Sequence, residues 1–142
     1  MKMRTIKSFL ALVIFIPVMA CNGQPAKESP QAVSSDKVEA YYFHFNARCV
    51  TCRTVEAEAK ADIEMLYSEL VKSGKVSFKA VNLDDADGKI IGDKLGINGQ
   101  TLLLVKGEQK INITNEGFMY AVNQPEKFKA VIKEKVDRLL NL

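Results

Sequence analysis

The chain has 142 residues, 47% hydrophobic and 26% charged, enough for one domain with a real core. Its formal charge is +3, but three of the 20 basic residues (Lys2, Arg4 and Lys7) fall in the first seven positions, and the other 17 match the 17 acidic ones. With no basic stripe interleaved with aromatics either, the balance leaves no case for a nucleic-acid partner.

The first twenty residues read as an export signal. Lys2, Arg4 and Lys7 precede the apolar run Phe9 to Val18. That run is too short to span a bilayer, which needs about 20 apolar residues. Val18-Met19-Ala20 then leads into Cys21, and this junction resembles a bacterial lipobox. The resemblance implies that Cys21 becomes the lipidated N-terminus, so that the membrane is reached through a lipid anchor on the periplasmic side of the cell envelope. An ordinary signal peptide that leaves Cys21 as a spare thiol is the alternative. Asn22 is not a retention aspartate, which by analogy with enteric bacteria favours the outer membrane. Residues 21–36 carry Pro25, Ser29, Pro30, Ser34 and Ser35 without apolar periodicity and read as a flexible tether. Residues 37–142 form the domain, expected to be monomeric.

Val38 to Phe45 is almost wholly apolar or aromatic, as expected of a central strand covered on both faces. Cys49-Val50-Thr51-Cys52 follows and opens a helix to Lys72, with Val55, Ala59, Ile63, Leu66 and Leu70 on one face. Ser73-Gly74 stops it. Lys75 to Leu83 is a second strand. Asp84 or Asp85 caps a short helix with Ile90, Ile91 and Leu95 inward, closed by Gly96. Thr101 to Val105 and Gln109 to Thr114 form a hairpin about Lys106-Gly107-Glu108. Gly117 to Val122 reads as a loop. Asn123 caps a last helix, with Pro125 near its first position and Phe128, Val131, Ile132, Val136, Leu139 and Leu140 as its stripe. The order β-α-β-α-β-β-α implies a four-stranded mixed sheet between helices, its first two strands parallel.

Two thiols on the first turn of a helix close into a disulfide and reopen with little backbone movement. Unpaired N–H groups at that helix start favour thiolate over thiol. Reversible redox chemistry at Cys49 and Cys52, a static disulfide, and binding of a soft metal or arsenite all remain open on these residues. Zinc wants four ligands and the chain offers this pair and His44; haem attachment needs a histidine where Arg53 stands. Apart from that soft-metal or arsenite alternative, no metal and no cofactor is therefore expected. Arg48 and Arg53 flank the thiols, where cations favour the thiolate and attract acidic partners, or are simply solvated. His44 is the only histidine, a proton acceptor for the thiols or a packed ring. Thr51 caps the helix through its hydroxyl. Tyr41, Tyr42, Phe43 and Phe45 are core.

The pair at a strand-to-helix junction, Asn82-Leu83-Asp84 after the second strand, and Gly96-Ile97-Asn98-Gly99 before Thr101 together resemble the thioredoxin-like superfamily over residues 37–142. That resemblance implies a three-layer α/β sandwich and thiol–disulfide exchange with a protein partner. Cys49 would be the exposed nucleophile and Cys52 the resolving thiol. It also places Gln100 in a loop against the disulfide, where its backbone pairs with a bound substrate chain. The chain departs from ordinary thioredoxins in three places. Val50-Thr51 fills the pair, Phe43 stands where a buried aspartate is usual, and Gln100 replaces a cis-proline, so a trans bond is expected there. Tyr41-Tyr42-Phe43-His44, Arg48-Cys49-Val50-Thr51-Cys52, Gln100 to Val105, Thr114-Asn115 and Gln124 to Phe128 resemble more narrowly the family of the ArsF subunit of nitrophenyl-compound nitroreductases. Two thiols supply two electrons, and no nucleotide fingerprint is present. The narrower resemblance thus implies an electron-passing subunit. A redox adaptor or soft-metalloid-binding subunit with no turnover is the alternative.

Overall fold

The computed structural model describes residues 36–142; the segment expected to be an export signal, Cys21 and nearly all of the expected tether lie outside the described residues. No helix among the described residues is long and apolar enough to cross a membrane.

Strand β1 (Val38–His44) is the middle of the sheet. It pairs in parallel with β2 (Val76–Asn82), Val38 opposite Val76 and His44 opposite Asn82. On its other side it runs antiparallel to β3 (Thr101–Lys106), with Tyr42 opposite Leu102. β4 (Gln109–Asn112) forms the antiparallel edge, giving the order β2-β1-β3-β4. Alternate side chains of β1 enter two cores, as the two-residue period of a strand requires. Val38, Ala40 and Tyr42 pack with Val55, Ala59, Ile63, Phe128, Ile132, Val136 and Leu139. Tyr41 and Phe43 pack with Val81, Leu83, Leu95, Leu103 and Val105 on the opposite face. The exception in the run is Glu39, buried yet paired with Lys79 Nζ at 3.0 Å.

Helices α1 (Val50–Leu66) and α5 (Pro125–Leu140) cover the first face, and α3 (Ala86–Leu95) covers the second. The result is a thioredoxin-like three-layer α/β sandwich with a mixed four-stranded sheet.

Several local expectations are corrected. The long helix is two, α1 and α2 (Ser68–Lys72), broken at Tyr67 (φ −125°, ψ 33°). The Tyr67 hydroxyl donates to Asp137 Oδ1 at 2.7 Å, a contact 70 residues away that local periodicity does not encode. Neither aspartate caps α3 through its side chain. Asp85 holds the cap position without a capping bond, and Asp84 Oδ2 instead accepts the Asn46 N–H at 2.7 Å. Ile90 points outward, because α3 turns Gly88, Gly92 and Leu95 to the sheet. A Cβ on Gly88 would lie 1.8 Å from the Asn82 carbonyl oxygen, so only glycine permits that approach.

The last strand stops at Asn112, not Thr114. Asn112 Oδ1 accepts the Thr114 N–H at 3.0 Å, while Thr114 Oγ1 accepts the Leu102 N–H at 2.8 Å. This turns the chain into a helix, α4 (Thr114–Tyr120), across much of the segment expected to be a loop. Gln124 rather than Asn123 precedes α5, and Pro125 opens it.

Candidate functional site

The loop from β1 to α1 is held by the strand end beside it. Leu83 N–H donates to the His44 carbonyl at 2.7 Å, and Asn82 Nδ2 donates to Asn46 Oδ1 at 2.9 Å. With the Asp84 contact, these fix where Arg48 and Cys49 leave the sheet.

Cys49 is the N-cap of α1, in extended conformation at φ −76° and ψ 169°. Its Sγ accepts the Cys52 N–H at 3.2 Å, the bond a capping oxygen usually takes. The cap is therefore sulfur, and Thr51, expected to provide it, lies inside the first turn. Cys49 and Cys52 are disulfide-bonded, their Cα atoms 5.2 Å apart. Cys49 is exposed, whereas Cys52 is 6% exposed. The first turn carries no acidic residue to offset the positive end of the helix dipole.

The cations do not stand free. Arg48 Nη1 is paired with Glu56 Oε2, and both side chains are about three-quarters buried. Arg53 Nη1 donates to the Arg48 carbonyl at 2.9 Å, bracing the residue before Cys49. His44 is half-buried at the strand end, its Nδ1 3.1 Å from the neighbouring Phe45 carbonyl. Its ring centroid is 6.3 Å from that of Tyr42.

Gln100 reaches the cysteines through its side chain. Its Nε2 donates to the Tyr42 hydroxyl, which donates to the Cys52 carbonyl at 2.8 Å. The Gln100 peptide is trans, since no cis bond occurs among the described residues. Tyr42 is fully buried. Burial, with Glu56 nearby, raises its hydroxyl above the usual tyrosine range against the opposing pull of the Gln100 bond and Arg48. It stays protonated and donates.

Two members of this cluster were not singled out by the sequence. Tyr42 reads as core by its place in the strand, although a hydroxyl in an otherwise apolar strand needs a buried partner. Glu56 is four residues after Cys52, a spacing that puts both on one helix face. Phe45, four residues before Cys49 and expected to be core, is exposed past the end of β1, and Val50, between the two cysteines, is exposed as well.

No family model matches the chain, and no curated protein does. Among solved structures, one described as "Structure of a malarial protein" aligns with 69% of this chain and 96% of its own, at 18% identity and a TM-score of 0.46.

Proposed function

We propose that this protein is an exported, lipid-tethered thiol–disulfide oxidoreductase that passes two electrons to or from a protein partner. The carrying observation is the asymmetry of the pair: an exposed cysteine caps a helix through its sulfur and is disulfide-bonded to a buried one. In the reducing direction, the Cys49 thiolate attacks a partner disulfide. A mixed disulfide forms and one partner thiolate leaves. The Cys52 thiolate then attacks Cys49 Sγ, the second partner thiolate leaves, and the domain is left oxidised. Another dithiol protein must reduce it again. The motifs around Tyr41, Arg48 and Gln100 support placing the chain with the ArsF-subunit family as an electron-passing member. The leader and Cys21 support the tether.

The test is trapping in cells. Cys52→Ser should accumulate covalent partner complexes through Cys49 that dithiothreitol releases. Empty traps, together with tight arsenite or copper uptake by the reduced protein and none by the double cysteine variant, would replace exchange with a soft-metalloid-binding role.

A further inference from the structure

We infer that Glu56 is the proton acceptor for Cys52 in the resolving step, an inference that rests on the exchange chemistry above. Cys52 must lose its thiol proton before it attacks, and it does so in a site almost closed to water. Burial without a partner favours the neutral thiol, so a nearby base decides the rate. Glu56 is the first acidic residue of α1 and stands one turn beyond Cys52. At that spacing two Cβ atoms lie about 6 Å apart, and helical side chains lean toward the N-terminus. Glu56 therefore reaches back over the turn that carries Cys52. The Arg48 guanidinium, one residue before Cys49, holds the carboxylate at that end of the helix.

The groups around Glu56 suit the task. Tyr42, from β1, bonds the Cys52 carbonyl and lies close enough for Glu56 to influence its hydroxyl. Arg53 and Lys60 stand three and four residues away on the same helix, and Lys60 lies 4.0 Å from Glu64. Helix α4, packed on α1, carries Glu116. In the step, the Cys52 proton moves to the Glu56 carboxylate. The new thiolate attacks Cys49 Sγ, the bond from Cys49 to the partner sulfur breaks, and the departing thiolate takes the proton back from Glu56. No further oxidant or reductant is needed.

The experiment uses the reduced full-length chain in a Cys21→Ser background, so that Cys49 and Cys52 are its two thiols, and an aromatic disulfide, 5,5′-dithiobis(2-nitrobenzoate), which reports each thiolate released. Cys49 attack releases the first thiolate and Cys52 attack the second; Cys52→Ser should release only the first. Glu56→Gln keeps an oxygen that accepts from Arg48 but cannot take the proton. It should leave the first release no slower and slow the second at least tenfold at pH 7, a floor set below the roughly hundredfold or more that general-base effects usually reach. Its second rate should climb steeply toward pH 9, where the wild type is nearly flat. A second release within twofold of wild type, with the same pH profile, overturns the role of Glu56 and leaves the exchange reading standing. If the wild type releases no first thiolate, the exchange reading falls and this inference falls with it.

Discussion

Each cysteine of the pair takes its character from what its backbone and neighbours do. Cys49 is exposed because it is the residue that enters the helix, and its sulfur receives an N–H because it occupies the cap. Cys52 is buried because it is the third helical residue and shares the inward face with Val55 and Ala59. This much is legible in a strand, two cysteines and a helical stripe. The relay behind them is not. Gln100 and Tyr42 are 58 residues apart, and only the antiparallel pairing of β1 with β3, which sets Phe43 opposite Thr101, brings them together. Tyr42→Phe tests the relay. It removes the hydroxyl that joins Gln100 Nε2 to the Cys52 carbonyl, and the carbonyl keeps its helical partner while the amide loses its own. We expect a loss of about 1–2 kcal/mol in urea unfolding, the usual cost of leaving a largely buried donor unmade. An unchanged midpoint would show that the relay contributes nothing to stability.

Among the elements, strands and long helices announce themselves because burial imposes their periods. β1 reads correctly since both its faces are covered, and α5 since Phe128, Ile132, Val136 and Leu139 repeat at helical spacing. Helix α4 hides for the opposite reason. Its large apolar residues Phe118 and Met119 face outward, and its fully buried position is Gly117, so no apolar stripe marks it. The same inversion puts Ile90 outside and glycines inside on α3. Gly117 also allows a test of how closely α4 sits on the core. Replacing it with alanine improves helix propensity by about 1 kcal/mol. The added Cβ would lie 2.9 Å from Val55 Cγ1 and 3.4 Å from Phe128 Cζ. Overpacking of that kind costs about 1–3 kcal/mol. We expect Gly117→Ala to lower stability by about 1 kcal/mol in chemical denaturation. A gain would mean that α4 moves away from α1 at little cost.

At the scale of the whole molecule, α1 links the disulfide at one end to α5 along its length, and the contact between the two helices contains an ill-matched charge. Asp62 is 4% exposed, and its Oδ2 has no hydrogen-bond partner among the described residues. The facing cation, Lys129, is 4.0 Å from Asp62 Oδ1 and closer to Glu126, at 3.1 Å. Burial, with Glu58 and Glu126 nearby, outweighs Lys129 and pushes the Asp62 carboxyl up to about 6. The sign follows from proton linkage. The folded state holds this proton more tightly than the unfolded chain, whose aspartate titrates near 3.9. The favourable contribution is complete below about pH 4 and is lost as pH rises through about 6. Above that, the ionised carboxylate costs at most about 3 kcal/mol. Asp62→Asn removes the charge but leaves a polar amide in the same place, so part of the cost remains. We expect the variant to be more stable than wild type by about 1–2 kcal/mol at pH 7.5 and equal to it within about 0.5 kcal/mol at pH 4, by urea unfolding at both values. An equal gain at both would place the effect in packing rather than in charge. A loss at pH 7.5 would show that the Lys129 pair outweighs burial after all, and that the helix carrying the disulfide is fastened to α5 by an ion pair rather than strained by one.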